Sequence, residues 1–339
     1  MKKLIYLFLT VLIVGCSGED SNNQDNNNQS SCPIYLDSNG ITIKACDDAN
    51  VGDTGVINGV TYTVVDETML RQMVENKQDL TIVVTTRVTN MQDILSIFSY
   101  PGFNQPIGNW DVSNVTNMGF MFYEAWDFDQ PIGDWDVSNV TNMSNMFYVS
   151  VINQPIGNWD VSNVTDMQYM FSDASRFNQD ISNWDVSNVI NMGGMFQSAD
   201  AFNQPIGDWD VSNVTDMYAL FNGATTFNQP IGNWDVSNVT NMGFMFEQAT
   251  SFNQDIGNWD VSNVTNMGYM FRYAYEFNQP INNWDVSNVT DMDWMFWAAT
   301  SFNQDLSSWS VDNVTECNYF SLNATSWTLP KPNFTNCTP

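Results

Sequence analysis

The chain has 339 residues, of which 38 are acidic and 9 basic, so that its formal net charge is −29, and it contains no histidine. A negative surplus of this size repels nucleic-acid phosphates and anionic lipid surfaces. The lack of imidazole excludes serine or cysteine triads with a histidine base, HExxH zinc sites and imidazole metal clusters, leaving carboxylates as the main route to catalysis.

Lys2 and Lys3 precede an apolar run over residues 4–14, followed by Gly15 and Cys16. This layout predicts a secretion signal over residues 1–15, too short to span a bilayer as a stable helix. The ending Ile13-Val14-Gly15-Cys16 resembles the lipobox of bacterial lipoproteins, which implies cleavage before Cys16 and acylation of its thiol. Residues 17–31 contain nothing apolar to bury. With Cys16 they form a lipidated, disordered tether (16–31) with a reach of about 20 Å. Glu19-Asp20 resembles signals that send some bacterial lipoproteins to the outer face. The expected location is therefore the outer membrane, facing the cell exterior.

Residues 32–87 read as a small α+β N-terminal cap. Two hairpins are expected, pairing 34–36 with 41–44 around Asn39-Gly40, and 56–57 with 60–65 around Asn58-Gly59, because Asn-Gly between apolar runs favours the tight hairpin turn. Asp66 is placed to cap a helix reaching about Lys77, with Met69, Leu70, Met73 and Val74 on one face, and 80–86 reads as a strand. Cys32 and Cys46 flank the first hairpin; Cys317 and Cys337 flank the last turn. Three pairings are possible, and the length of chain between the pairs favours the two local bridges over free thiols or a metal site. Each bridge would contribute about 3 kcal/mol by closing its loop.

From residue 88 to 316 the sequence repeats. WDVSNV begins at Trp110, Trp135, Trp159, Trp184, Trp209, Trp234, Trp259 and Trp284, an altered WSVDNV begins at Trp309, and the step is 25 residues with one step of 24. Each unit reads FNQ(P/D)I, two small or polar residues, WDVSNVTNM, two variable residues, MF, two variable residues and A. A fixed period of this length marks a solenoid whose units stack. Period-two spacing over Trp110, Asp111 and Val112, then helical spacing over Val115, Met118, Met121, Phe122 and Ala125, predicts one short strand and one short helical stretch per coil. Stacking at about 4.8 Å per coil gives nine coils a length of about 43 Å. Trp, Phe and Met columns form a shared core, and the strict register assigns the methionines to packing. Residues 317–339 form a C-terminal cap.

These motifs resemble the BspA-like leucine-rich-repeat surface lipoproteins of bacteria, which carry a repeat of about 26 residues with FNQ, WDVSNVTNM and MF. The resemblance implies an α/β repeat solenoid, leucine-rich-repeat-like, displayed on the cell, with adhesion or recognition roles in some members. The chain departs from the pattern by a missing residue near 149–151, by Ile190 in place of Thr and by Leu220 in place of the second Met.

The Asp column from Asp111 to Asp285 has two readings. Each carboxylate can accept the N–H of the following Ser or Asn in an Asx-turn, or the column can hold a row of Ca²⁺ ions. The dense Gly-Asp spacing of calcium-binding β-rolls is missing, which favours the turn and leaves no metal or cofactor assigned. Asn114, Asn117 and the Asn104 series read as internal ladders. The positions that fail to repeat carry the functional signal. One column runs through Phe120, Asn145, Tyr169, Gly194, Ala219, Phe244, Tyr269 and Trp294, and the next through Tyr123, Tyr148, Ser172, Gln197, Asn222, Glu247, Arg272 and Trp297. Phe120, Tyr123, Tyr169, Phe244, Tyr269, Tyr273, Trp294 and Trp297 are the candidate contacts for an extracellular protein or glycan. Catalysis needs an asymmetric pair of tuned groups, whereas Asp recurs identically here. The expectation is a non-catalytic adhesion or binding module, with a structural spacer as the alternative; aromatics on one continuous face favour the first.

Overall fold

The computed structural model describes residues 33–98 and 100–339. The expected signal segment, tether and lipidated Cys16 lie outside them, as does Cys32 and hence its bridge to Cys46. Among the described residues no helix is long and apolar enough to cross a membrane.

Strands β1 (Ile34–Leu36) and β2 (Ile43–Ala45) pair antiparallel, with Ile34 opposite Ala45. Asn39-Gly40 does not close a two-residue turn. The chain reverses over 37–42, where the Asn39 side-chain oxygen accepts the N–H groups of Ile41 and Thr42, each at 2.9 Å. The second Asn-Gly behaves as expected. Asn58 (φ 51°) and Gly59 (φ 81°) join β3 (Thr54–Ile57) to β4 (Val60–Asp66), both in the left-handed region that this hairpin turn requires. Helix α1 (Glu67–Glu75) starts where Asp66 accepts the Met69 N–H at 2.8 Å. It stops short of Lys77 because that residue is left-handed (φ 52°) and returns its N–H to the Val74 carbonyl. Strand β5 (Val83–Arg87) runs parallel to β4 and begins later than expected, since Gln105 takes the Leu80 N–H and Asp79 holds that of Thr81.

This segment imitates a coil for the repeats that follow. In the array the tryptophans of the buried column, Trp135 to Trp309, each donate the indole N–H to an isoleucine carbonyl of the coil before, as in Trp135 to Ile107 at 3.3 Å and Trp159 to Ile132 at 3.1 Å. Trp110, in the first complete coil, finds the Leu80 carbonyl at 2.9 Å in the same role, and Asn114 finds that of Thr86.

From Asn90 to Glu316 the coils are linked by single-residue parallel bridges one repeat apart: Asn90 to Asn117, Asn117 to Asn142, and onward. Trp110 and Trp135 are fully or almost fully buried, with ring centroids 6.5 Å apart and planes within 6°. The Phe column from Phe103 to Phe302, Ile152 included, and the Met column ending in Cys317 are buried in one cluster that runs from the cap to Trp327. A lone coil would bury these side chains on one side only, so its neighbours are part of its core.

The expected strand and helical stretch within each coil do not form: among the described residues the array consists of turns joined by those bridges. Residues 118–125 show why. Met121 N–H donates to the Met118 carbonyl and Tyr123 N–H to that of Phe120, as in a tight helix, but Met118, Phe120, Phe122 and Glu124 donate to the next coil. Phe120 (φ 59°) and Glu124 (φ 53°) are left-handed, which turns every other amide out of the helical path. Helical periodicity therefore reports which side chains point inward, not an i→i−4 ladder.

Polar columns close the corners. Asn139 Nδ2 donates to the Ser113 carbonyl at 2.7 Å and Asn163 Nδ2 to that of Ser138; Asn203 Oδ1 accepts Asn228 N–H and Gln229 Nε2 from the next coil. The missing residue falls after Ser150, where the two-residue turn that neighbouring coils make at 126–127 and 175–176 is absent, and the bridge from Asn142 to Asp166 is kept. Ile190 stands where Thr141 and Thr165 hydroxyls donate to the previous coil. Having no hydroxyl, it leaves a 51% exposed apolar side chain. At the far end Cys317 and Cys337 are joined (S–S 2.04 Å). Trp327 donates its indole N–H to the Gln304 carbonyl at 2.9 Å, and Phe334 meets Phe320 edge-on at 5.0 Å.

Candidate functional site

The turn stretch places two side-chain columns on the outside of the coils. The first holds the left-handed residues Phe120, Asn145, Tyr169, Gly194, Ala219, Phe244, Tyr269, Trp294 and Tyr319, with φ between 53° and 62°. Left-handed backbone is easy for Gly and tolerable for Asn, but costs a bulky residue about 1–2 kcal/mol. Gly194 and Asn145 are the residues such backbone favours; Ala219 and the Phe, Tyr and Trp of the remaining coils are not. Those aromatic rings are kept against the local conformational preference, and strain of that kind points towards function.

Phe120, Tyr123, Tyr169, Phe244, Tyr269, Tyr273, Trp294 and Trp297 are all half-buried, not freely exposed, because they pack on one another. They fall into two patches. Near the N-terminal end Tyr123 stacks on Tyr148 (4.8 Å) and contacts Phe120 (5.6 Å) and Phe98 (6.0 Å). Towards the C-terminal end Phe244 stacks on Tyr269 (4.3 Å) and Tyr269 on Trp294 (6.0 Å), while Tyr218 and Tyr319 extend the row at 5.3 and 4.5 Å. Trp297 stands nearly perpendicular to Tyr273 (83°, 4.5 Å) and tilted to Trp294 (64°, 5.4 Å). Tyr169 belongs to neither patch; its ring covers Gly194, where a Cβ would lie 2.1 Å from Tyr169 Cε1.

The larger patch has a polar centre. Arg272 lies 4.9–5.4 Å from the centroids of Tyr269, Tyr273, Trp294 and Trp297. Its Nη1 meets Glu247 Oε1 at 2.9 Å, and Asn222 Nδ2 donates to Glu247 Oε2 at 2.7 Å. The Glu247 side chain is 7% exposed and that of Arg272 26%. Burial raises the Glu247 carboxyl above its ordinary range, against the pull of the guanidinium. Burial likewise raises the Tyr269 and Tyr218 phenols. The patch thus offers aromatic edges and hydroxyls around a compensated ion pair. Arg272, Glu247 and Asn222 were visible in sequence only as members of a variable column. Their spacing by one repeat was the signal that they meet.

The Asp column forms Asx-turns. Ser113 N–H donates to Asp111 Oδ1 at 3.2 Å, and Asp136, Asp160, Asp185, Asp210, Asp235, Asp260 and Asp285 each accept their own serine N–H at 3.0–3.2 Å. The serine hydroxyl and amide together hold the Asp160, Asp235 and Asp285 carboxyls below their ordinary value. One oxygen of each carboxylate is thereby committed to its turn. Among the described residues Asp291, Asp293 and Glu316 bring three carboxylates within 4.8 Å of one another, away from that column.

The family described as "Mycoplasma protein of unknown function, DUF285" matches the chain three times, over residues 66–151, 148–250 and 225–333. No curated protein and no solved structure matches it.

Proposed function

We propose that this chain, which belongs to the family of Mycoplasma protein of unknown function, DUF285, is a non-catalytic recognition module that binds an extracellular protein or glycan through the aromatic patch around Arg272. The observation that carries this reading is the set of Phe, Tyr and Trp residues held in left-handed backbone at Phe244, Tyr269, Tyr273 and Trp294. Rigid aromatics with few rotatable bonds lose little entropy on contact, which suits them to anchor a partner. The likeness to BspA-like leucine-rich-repeat lipoproteins completes the reading: the stacked coils stand on the outer membrane by a lipid at Cys16, and the stretch to residue 31 holds them off the surface.

The second reading, a spacer without a ligand, draws on the uninterrupted core from cap to Trp327, which would give a stiff body whatever its surface. A glycan and protein array probed with residues 32–339, beside a Trp294→Ala/Trp297→Ala variant, separates the two. Binding that the variant loses by about 2 kcal/mol or more supports recognition. An array on which the two proteins behave alike returns the spacer.

A further inference from the structure

Each coil hands backbone hydrogen bonds to the next in a fixed pattern. Met118, Phe120, Phe122 and Glu124 N–H groups donate to the carbonyls of Asn142, Ser144, Met146 and Tyr148 at 2.7–2.9 Å, and the pattern persists to Met292, Trp294, Phe296 and Ala298, which donate to Glu316, Asn318, Phe320 and Leu322. One repeat further on, the equivalent donors are Cys317, Tyr319, Ser321 and Asn323, and among the described residues no further coil receives them. The last segment does not take its place. It folds over the interior, where Trp327 and Phe334 pack on Phe320 and the disulfide ties Cys337 to Cys317.

Among the described residues, the N–H groups of Tyr319, Ser321 and Asn323 therefore meet no acceptor, and the Thr315 carbonyl receives no N–H, although the Thr290 carbonyl receives that of Thr315. Tyr319 and Leu322 on this edge are 51% and 48% exposed. The opposite end of the ladder is treated differently: Arg71 donates to the Gln92 carbonyl at 3.0 Å and Tyr100 N–H to that of Ser96 at 2.8 Å. Two carbonyls of the first coil are met by the chain's own groups, whereas among the described residues nothing meets these three N–H groups of the last.

We propose that the edge over residues 317–323 is a docking site for an extended segment of a basic partner protein, which lies along it as one more coil. The array itself shows what this edge takes, because every earlier copy of it is covered by backbone carbonyls at alternate residues. Open backbone edges recruit added strands in the same way. Charge selects the partner. Glu316 stands at the entry to the edge, within 4.8 Å of Asp291 and Asp293. Burial and the two neighbouring carboxylates raise the Asp291 carboxyl, a repulsion that an incoming lysine or arginine relieves. A net charge of −29 disfavours a second copy of the chain in that place. The inference rests on coil geometry and stands whether or not the aromatic patch binds a ligand.

The test is hydrogen exchange on the full chain with two pools of acetylated, amidated decapeptides of otherwise random sequence, one carrying lysines and the other glutamates at the N-terminal end. The lysine pool is expected to slow exchange at Tyr319, Ser321 and Asn323 by about tenfold or more, and the glutamate pool to leave it unchanged. Ser321→Pro removes the central donor and abolishes the protection. Glu316→Gln, at an exposed side chain with no hydrogen bond among the described residues, weakens it severalfold and carries the decision should the proline disturb the last coil. Equal protection by both pools, protection confined to other coils, or none with either pool overturns the proposal.

Discussion

Phe221→Ala probes the claim that the coils share one interior. The ring is fully buried and lies 3.9 Å from Phe227 within its coil, 5.8 Å from Phe196 on one side and Phe246 on the other, and 6.2 Å from Trp234. Truncating such a ring costs about 3–5 kcal/mol, made of lost transfer free energy and a cavity that rigid neighbours cannot fill. Here the neighbours above and below are themselves pinned: Phe196 N–H bonds the Leu220 carbonyl and Phe221 N–H that of Met245. The upper half of the range is therefore expected, and both flanking interfaces should weaken. If the array melts as a unit, the midpoint falls by about 8–20 °C. Calorimetry gives the total loss, and hydrogen exchange locates it: protection should fall first at Phe196 and Phe221, with coils far from them less affected. A loss below about 1 kcal/mol would mean that the site collapses freely, as only a ring without partners on both sides could.

Acidification should destabilise the array through the Asx-turns. The Asp160, Asp235 and Asp285 carboxyls lie below their ordinary value of 3.8, so the stability they contribute is complete above that value and is lost as pH falls through the lower, folded one. Urea midpoints recorded from about pH 5 to pH 2 should fall, and Asp235→Asn should flatten that dependence. The Glu247 carboxyl has the opposite sign: raised above 4.5, it disfavours folding once ionised. Arg272→Ala should therefore cost little in acid and up to about 3 kcal/mol at neutral pH, read from the same denaturation series; a penalty independent of pH would contradict the pairing. Replacing Cys317 and Cys337 by serine should lower stability by about 3 kcal/mol and admit water to Phe320, seen as faster amide exchange there and a red-shifted Trp327 fluorescence.

The periodic part of the structure was legible because repetition turns one inference into many. Once Trp, Phe and Met recur at a fixed step, stacking is the arrangement that lets them bury one another, and the columns appear as read. The Asx-turns were equally local, since Asp and the serine two residues later need only their own backbone. Secondary structure within the coil was misread because apolar spacing records inward-facing positions and is blind to where each N–H goes. The Asn39-Gly40 turn failed for a related reason: its dipeptide suits a tight hairpin, but the Asn39 side chain bonds the backbone of Ile41 and Thr42 and widens the loop.

The candidate site divides along the same line. Its members lie in columns that spacing alone identifies, yet their grouping into two patches depends on ring orientation and on the backbone hand at each coil. Sequence alone established the repeat, its register, the buried columns and the polar ladders, which follow from identical residues at identical steps, and it favoured the local Cys317–Cys337 bridge. Only the folded chain decided that alternate amides leave the turn for the next coil, that Arg272 and Glu247 pair among aromatic rings, and that the Tyr319, Ser321 and Asn323 amides meet no acceptor among the described residues. Those depend on what stands one coil away.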